Sequence, residues 1–254
     1  WIKAEGADVP STQYMNDDQV VNSGAISTFM EYTVTCENRL VVVPDKMPLK
    51  EAALLGCAMP TGAGIILNNA KVEEGSTVAV FGSGGIGLCA ILGAKMAKAS
   101  MIIAIDVQDH KLEMAKQLGA THVIQAKNQN AVEAVMELTN GKGVDYAVEA
   151  AGLILTMEQS YAVVKNGGGL CILAGNLAAG QKIQLDPFDL IKGKQIIGTW
   201  GGGSKPDKDI TFYAERYLSD DLPFNKLITD TYPLEEINTA IERFEQGQGL
   251  RTLL

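Results

Sequence analysis

Short apolar runs alternate with amphipathic stretches over most of this chain. Thr77–Phe81, Met101–Ile105, His122–Gln125, Val144–Val148, Gly169–Ala174 and Gln195–Trp200 are brief and rich in β-branched residues, which predicts six strands. Helical patterns fill the gaps: Ile86 through Lys98, then 109–118, 129–139, 154–165 and Pro187–Lys192. Gly119 stands where a helix C-terminus needs a left-handed residue. Strands that alternate with crossover helices pair in parallel with right-handed connections. The fold class is therefore α/β, a doubly wound six-stranded parallel sheet in the order 3-2-1-4-5-6.

The flanks read differently. Residues 1–23 are polar, with Pro10 and Asn16-Asp17-Asp18, and suggest loop. From Gly24 two further strand candidates follow, 26–35 and 39–44, parted by a turn at Cys36–Asn38. They precede the βα repeat and look like the end of a separate β-rich unit. Pro48–Leu55 predicts a short helix, Pro60 an interruption, and Thr61–Ala70 a second helix. Beyond Gly201–Gly203, residues 207–219 and 233–246 are amphipathic. The second carries Leu234, Ile237, Ala240, Ile241 and Phe244 on one stripe. Arg251–Leu254 ends strand-like.

Composition narrows the function classes. With 46% hydrophobic and 20% charged residues, the chain is ordinary for a globular protein. A net charge of −9 argues against nucleic-acid surfaces and anionic membranes as partners. No apolar run is long enough for a membrane span. Cys36, Cys57, Cys89 and Cys171 are scattered without a C-x-x-C pair, which suits a reducing, cytoplasmic setting.

The chemistry concentrates after the first central strand. Gly82, Gly84 and Gly87 stand at G-x-G-x-x-G spacing between a strand and a helix. Gly82 permits the tight turn, Gly84 the approach of backbone to a pyrophosphate, and Gly87 close packing of helix on sheet. The helix N-terminus offers free N–H groups to phosphate oxygens. The next strand ends in Asp106, nineteen residues past Gly87. A carboxylate there suits the two ribose hydroxyls of NAD and repels the additional phosphate of NADP. Its plainer role is that of a loop carboxylate capping the next helix. Together these features describe a Rossmann-type site.

These stretches, with Gly24–Val34, Leu55-Gly-Cys-Ala-Met-Pro-Thr-Gly62, Leu118–Thr121 and Arg251-Thr-Leu253, resemble the medium-chain, zinc-dependent alcohol dehydrogenases from about Gly24 to Leu254. The region Gly198–Gly202 is similar to the bacterial aryl-alcohol and glutathione-linked formaldehyde branches. The resemblance implies that Cys57 is one thiolate ligand of a catalytic zinc; the alternative is an inert thiol. Thr61 would lie beside the nicotinamide, Ile86 would press on its ring, and Gly85 belongs to the phosphate loop. Lys111 would bond the adenosine ribose, or else be a solvated helix lysine. Arg251 would hold the pyrophosphate, or else be a surface charge on an edge strand. Gly152, Gly175 and Trp200 would line the nicotinamide cleft, with Trp200 mainly packed. His110 and His122 fall in the nucleotide-binding half and read as bland.

By the same resemblance, residues 1–59 correspond to a remnant of a GroES-like catalytic domain, 60–201 to the NAD-binding domain, and 202–254 to the return to the catalytic domain. The proton-relay residues and remaining zinc ligands would lie in a catalytic domain preceding this chain, so the chain alone would be inactive. Apolar surface on 24–59 and 202–254 would then be left open, with self-association or a disordered 1–23. The parent activity implied is hydride transfer between a primary or aryl alcohol or aldehyde and NAD, in a homodimer joined through edge strand Gln195–Trp200. A zinc-free enone or quinone reductase and a non-catalytic dinucleotide-binding module are the other readings. Asp106 and Cys57 count against the reductase, whose branch prefers NADPH and lacks that thiol.

Overall fold

The computed structural model describes residues 6–7, 9–21 and 26–254. Expectations for residues 1–5, 8 and 22–25, including the start of the family resemblance at Gly24, lie outside the described residues. Six parallel strands form the centre: β1 (Thr77–Phe81), β2 (Met101–Asp106), β3 (His122–Gln125), β4 (Tyr146–Glu149), β5 (Leu170–Leu173) and β6 (Gln195–Gly198). Their order across the sheet is β3-β2-β1-β4-β5-β6, as the sequence predicts. In β1, Val78 and Val80 face one core while Ala79 and Phe81 face the other. Such two-sided burial is why the strand reads as a continuous apolar run.

Helices α1 (Ala58–Gly64) and α2 (Gly85–Met96) cover one face, with α7 (Pro206–Leu218) beyond them. A Cβ on Gly62 would stand 2.5 Å from Cys89 Cβ and 2.9 Å from Ala90 N, so the glycine lets α1 lie directly on α2. Helices α3 (Asp109–Leu118), α4 (Ala131–Leu138), α5 (Ile154–Ala162) and α6 (Pro187–Ile191) complete the crossovers. Asn130 caps α4 by accepting hydrogen bonds from Val132 N and Glu133 N. Gly119 ends α3 at φ +124°.

Three expectations need correction. The strand candidates 26–35 and 39–44 are not strands where described; a 3-10 turn at Glu37–Arg39 lies between irregular segments. No neighbouring strand among the described residues runs beside them, and an unpaired strand has nothing to satisfy its backbone. Pro60 does not interrupt a helix. It sits in the first turn of α1, where its missing N–H costs nothing. The break is at Cys57 (φ −150°, ψ −63°), between a 3-10 turn and α1. Finally, the C-terminal strand β8 (Arg251–Leu253) pairs in parallel with β7 (Ile228–Thr231), a strand the pattern did not reveal. Between them α8 (Ile237–Glu245) buries only Ala240 of the five-residue stripe.

Candidate functional site: a cleft at the carboxyl ends of the strands

The loop from β1 to α2 is shaped by its glycines. Gly82 holds φ +92°, and a Cβ there would meet Ala151 N at 2.8 Å. A Cβ on Gly87 would overlap the carbonyl oxygen of Gly82, so the helix can start this close to the strand only without a side chain. Gly84 is the N-cap of α2, and the space where its Cβ would stand is open. The mouth of the helix thus faces empty volume.

Asp106 closes one side of this loop. Its Oδ2 accepts from Ser83 N at 2.7 Å, and its Oδ1 accepts from Val107 N at 2.8 Å and Gln108 N at 3.0 Å. The carboxylate does not cap helix α3, whose N-cap is Gln108 with no side-chain cap; it closes the turn after β2 and fixes that turn against the glycine loop. Carboxylate oxygens retain further acceptor capacity for hydroxyls.

From the other side the C-terminal segment reaches over. Arg251 lies on Gly85: a Cβ there would stand 2.5 Å from Arg251 Nε. That Nε is buried with no hydrogen-bond partner. Gly84, Gly85, Ile86, Lys111 and Arg251 line one cavity of about 300 Å³. Cys57, Thr61, Ile86, Asn176 and Trp200 line a second of about 330 Å³. Ile86 belongs to both walls, so the two spaces adjoin at the start of α2. The expected cofactor residues Thr61, Gly84, Gly85, Ile86, Lys111 and Arg251 thus line one composite cleft, with Gly82, Gly87 and Asp106 building its floor.

Several residues fall differently from expectation or were not foreseen. Trp200 is not packed; its indole is 84% exposed at the mouth of the Cys57 cavity. Gly152 (φ +75°) and Gly175 touch beneath the cleft: a Cβ on Gly152 would meet Asn176 O at 2.9 Å, and one on Gly175 would meet Glu149 Oε2 at 2.5 Å. Glu149, fully buried, was missed. Its Oε1 accepts from Ala151 N, Gly152 N and Thr156 Oγ1 at 2.7–2.9 Å. A carboxylate closing the apolar run Tyr146-Ala-Val-Glu149 was the available signal, and it mirrors Asp106 on β2.

The cysteines divide. Cys57 is exposed and lines the cavity of about 330 Å³ with Thr61 and Trp200, as well as one of about 530 Å³ shared with Arg251 and Leu254. Burial pushes the Cys89 thiol up to about 12, against the opposing pull of Arg251, so it is inert at neutral pH. All four thiols are free. Among the described residues no three His, Cys, Asp or Glu side chains are grouped to hold a metal ion. Those residues supply Cys57 alone, which does not make a zinc site. His122 Nδ1 lies 2.9 Å from Thr121 Oγ1 on β3, at the far side of the sheet. Among the described residues, no helix is long and apolar enough to cross a membrane.

A fold of this order with a glycine loop and an acidic strand end defines a dinucleotide-binding Rossmann protein. A family model described as zinc-binding dehydrogenase matches residues 85–215, and the chain belongs to that family. It is 38% identical over 245 residues to an alcohol dehydrogenase class-3 of Caenorhabditis elegans, covering 94% of this chain and 64% of that protein. Benzyl alcohol dehydrogenase from Acinetobacter calcoaceticus superposes with a TM-score of 0.86 at 36% identity, over 90% of this chain and 63% of that one. A Sinorhizobium meliloti 1021 protein described as a zinc-binding dehydrogenase bound to NADP gives a TM-score of 0.66 at 27% identity, over 72% of this chain and 54% of that one. The chain thus spans 54–64% of the length of these relatives.

Proposed function

We propose that this chain is the cofactor-binding part of an NAD-dependent, zinc-type alcohol dehydrogenase acting on primary or aryl alcohols and aldehydes. One observation carries the reading. The glycine loop, Lys111 and Arg251 enclose one cavity, Thr61 and Cys57 line the adjoining one, and Arg251 Nε is buried there without a partner. An orphaned guanidinium N–H beside an open helix N-terminus fits a pyrophosphate.

When bound, NAD would supply a nicotinamide carbon that accepts hydride from an alcohol. Asp106 would accept hydrogen bonds from the adenosine ribose hydroxyls, and Lys111 would donate to the same ribose. The α2 N–H groups and Arg251 would hold the pyrophosphate between them. Ile86 would press one face of the nicotinamide while Thr61 flanks its edge, keeping the reacting face turned toward Cys57. Cys57 would be one zinc ligand; no step is assigned through the metal, because the described residues do not complete its site.

Relatives named as alcohol dehydrogenases support the alcohol or aldehyde as substrate. Asp106 favours NAD, although the Sinorhizobium meliloti relative was solved with NADP. It also weighs against the NADPH-dependent enone or quinone reductase, whereas a non-catalytic module would share the same cleft. We assign residues 1–59, 60–201 and 202–254 to catalytic remnant, cofactor domain and return segment, place the protein in a reducing compartment, and take β6 as a homodimer edge. Its outer side has no strand partner among the described residues, and Ile197 is exposed there.

Titration with NADH, followed by its own fluorescence, tests the reading. A saturable enhancement, displaced by excess NAD and by ADP, is expected. Emission that rises only in proportion to added NADH, as in buffer alone, would remove the cofactor assignment.

A further inference from the structure

Phe244 is the most exposed residue of the apolar stripe on helix α8. It stands on the apolar stripe with Ile237, Ala240 and Ile241, yet its ring is 68% exposed. It is also the single aromatic ring among the residues lining the cavity of about 300 Å³ that holds the glycine loop, Lys111 and Arg251. The other walls of that cavity offer the charges of Lys111 and Arg251, the Gln248 amide, glycine backbone and the aliphatic side chains of Ile86 and Leu250, but no second flat ring. An adenosine diphosphate needs more than these: its phosphates want donors, whereas its ribose carbons and base want a flat apolar face.

The chain after Phe244 keeps that face clear. Gly247 N donates to Phe244 O at 2.9 Å, closing a turn directly off the helix. Gly247 and Gly249 take φ +71° and +75° and carry no side chain into the cavity. The loop then delivers Arg251 onto Gly85, so Phe244 and the guanidinium approach the same cavity from one segment.

We propose that Phe244 is a cofactor-contact residue, its ring forming the apolar wall against which the adenosine-diphosphate half of the dinucleotide rests. This rests on the cofactor reading above. Contact with the ring shields the phosphates and Arg251 from water and covers an aromatic face otherwise left in solvent. The same ring borders an apolar groove with Phe29 and Leu254, and a variant on that side separates the two uses.

Calorimetric titration of the whole chain with ADP, NAD and nicotinamide mononucleotide tests the assignment. Phe244→Ala should weaken ADP and NAD by the same factor, about threefold to tenfold, and leave the mononucleotide unchanged. Phe244→Trp should restore binding. Ile241→Ala, one turn back and bordering only the apolar groove of the two, should bind ADP like the parent. Because the ring is exposed, thermal melting of Phe244→Ala should match the parent. Unaltered ADP affinity in Phe244→Ala, or an equal loss in Ile241→Ala, would overturn the assignment while leaving the cofactor reading intact. Absence of ADP and NAD binding by the parent chain would overturn both.

Discussion

Arg251 lies on Gly85, its Nε 2.5 Å and its Cζ 2.8 Å from where a Cβ on that glycine would stand. The last strand of the chain is thereby in contact with the first turn of α2, 166 residues earlier in sequence by the numbering. Phosphate bound at this helix mouth would be held from both sides. Arg251→Leu should weaken NAD and ADP binding by about tenfold to a hundredfold, from about 1.5–3 kcal/mol for hydrogen bonds to a charged group. Calorimetry at two salt concentrations checks it, and the loss should shrink as salt rises.

The glycines of the loop separate by role. Gly87→Ala should cost about 1–3 kcal/mol through overpacking, because its Cβ would meet the rigid Gly82 carbonyl. Gly84→Ala should leave stability almost unchanged, since nothing lies within 4 Å of its Cβ. It should nevertheless reduce dinucleotide affinity, because that Cβ would enter the space left for phosphate. Urea melts paired with NADH titrations resolve the two outcomes.

Asp106 carries both loop order and cofactor choice. Asp106→Asn keeps an acceptor for Val107 N and Gln108 N but turns an amide donor toward Ser83 N, or the reverse if flipped. The ratio of NADP to NAD affinity should rise by about tenfold, equivalent to about 1.4 kcal/mol, with a lower melting temperature. Equal preference in the two proteins would assign Asp106 to loop capping alone.

A distant pair should set the acid limb of stability. Burial raises the Asp145 carboxyl, but hydrogen bonds from Lys165 at 2.5 Å and from Thr77 N and Oγ1 at 2.7 and 2.8 Å outweigh it and hold the group below its ordinary value. A carboxyl depressed in the folded state stabilises above its unfolded pKa, about 3.9, and that contribution fades as pH falls through the lower folded value. Asp145→Asn should therefore lose about 1–2 kcal/mol near neutral pH, discounted for the part-exposed lysine. The difference from the parent should close below about pH 4, as denaturant melts across pH would record.

Much of this architecture was legible because local signals agreed with tertiary ones. The run Thr77–Phe81 is apolar at every core position, the glycine spacing follows at once, and Asp106 ends the next strand. Each statement needed only a few adjacent residues. Segments 26–35 and 39–44 misled because β-branched composition signals a strand only where another strand pairs with it, and pairing is not local. β7 was hidden for the converse reason: Ile228–Thr231 is short and polar at every position after Ile228, and exists through its pairing with Arg251–Leu253. The place of Phe244 beside the glycine loop was hidden because periodicity gives a helix face without saying what lies opposite. Glu149 stayed unnoticed because a single carboxylate at a strand end carries no spacing motif.

The claim most exposed to test is that the cleft between Gly84 and Arg251 binds NAD in preference to NADP. Calorimetric titration of the parent chain with each dinucleotide measures it directly. The account predicts one site per chain, with NAD bound at least about tenfold more tightly than NADP, a difference of about 1.4 kcal/mol set by the carboxylate of Asp106. Equal affinities, tighter NADP binding, or no heat with either dinucleotide would contradict it.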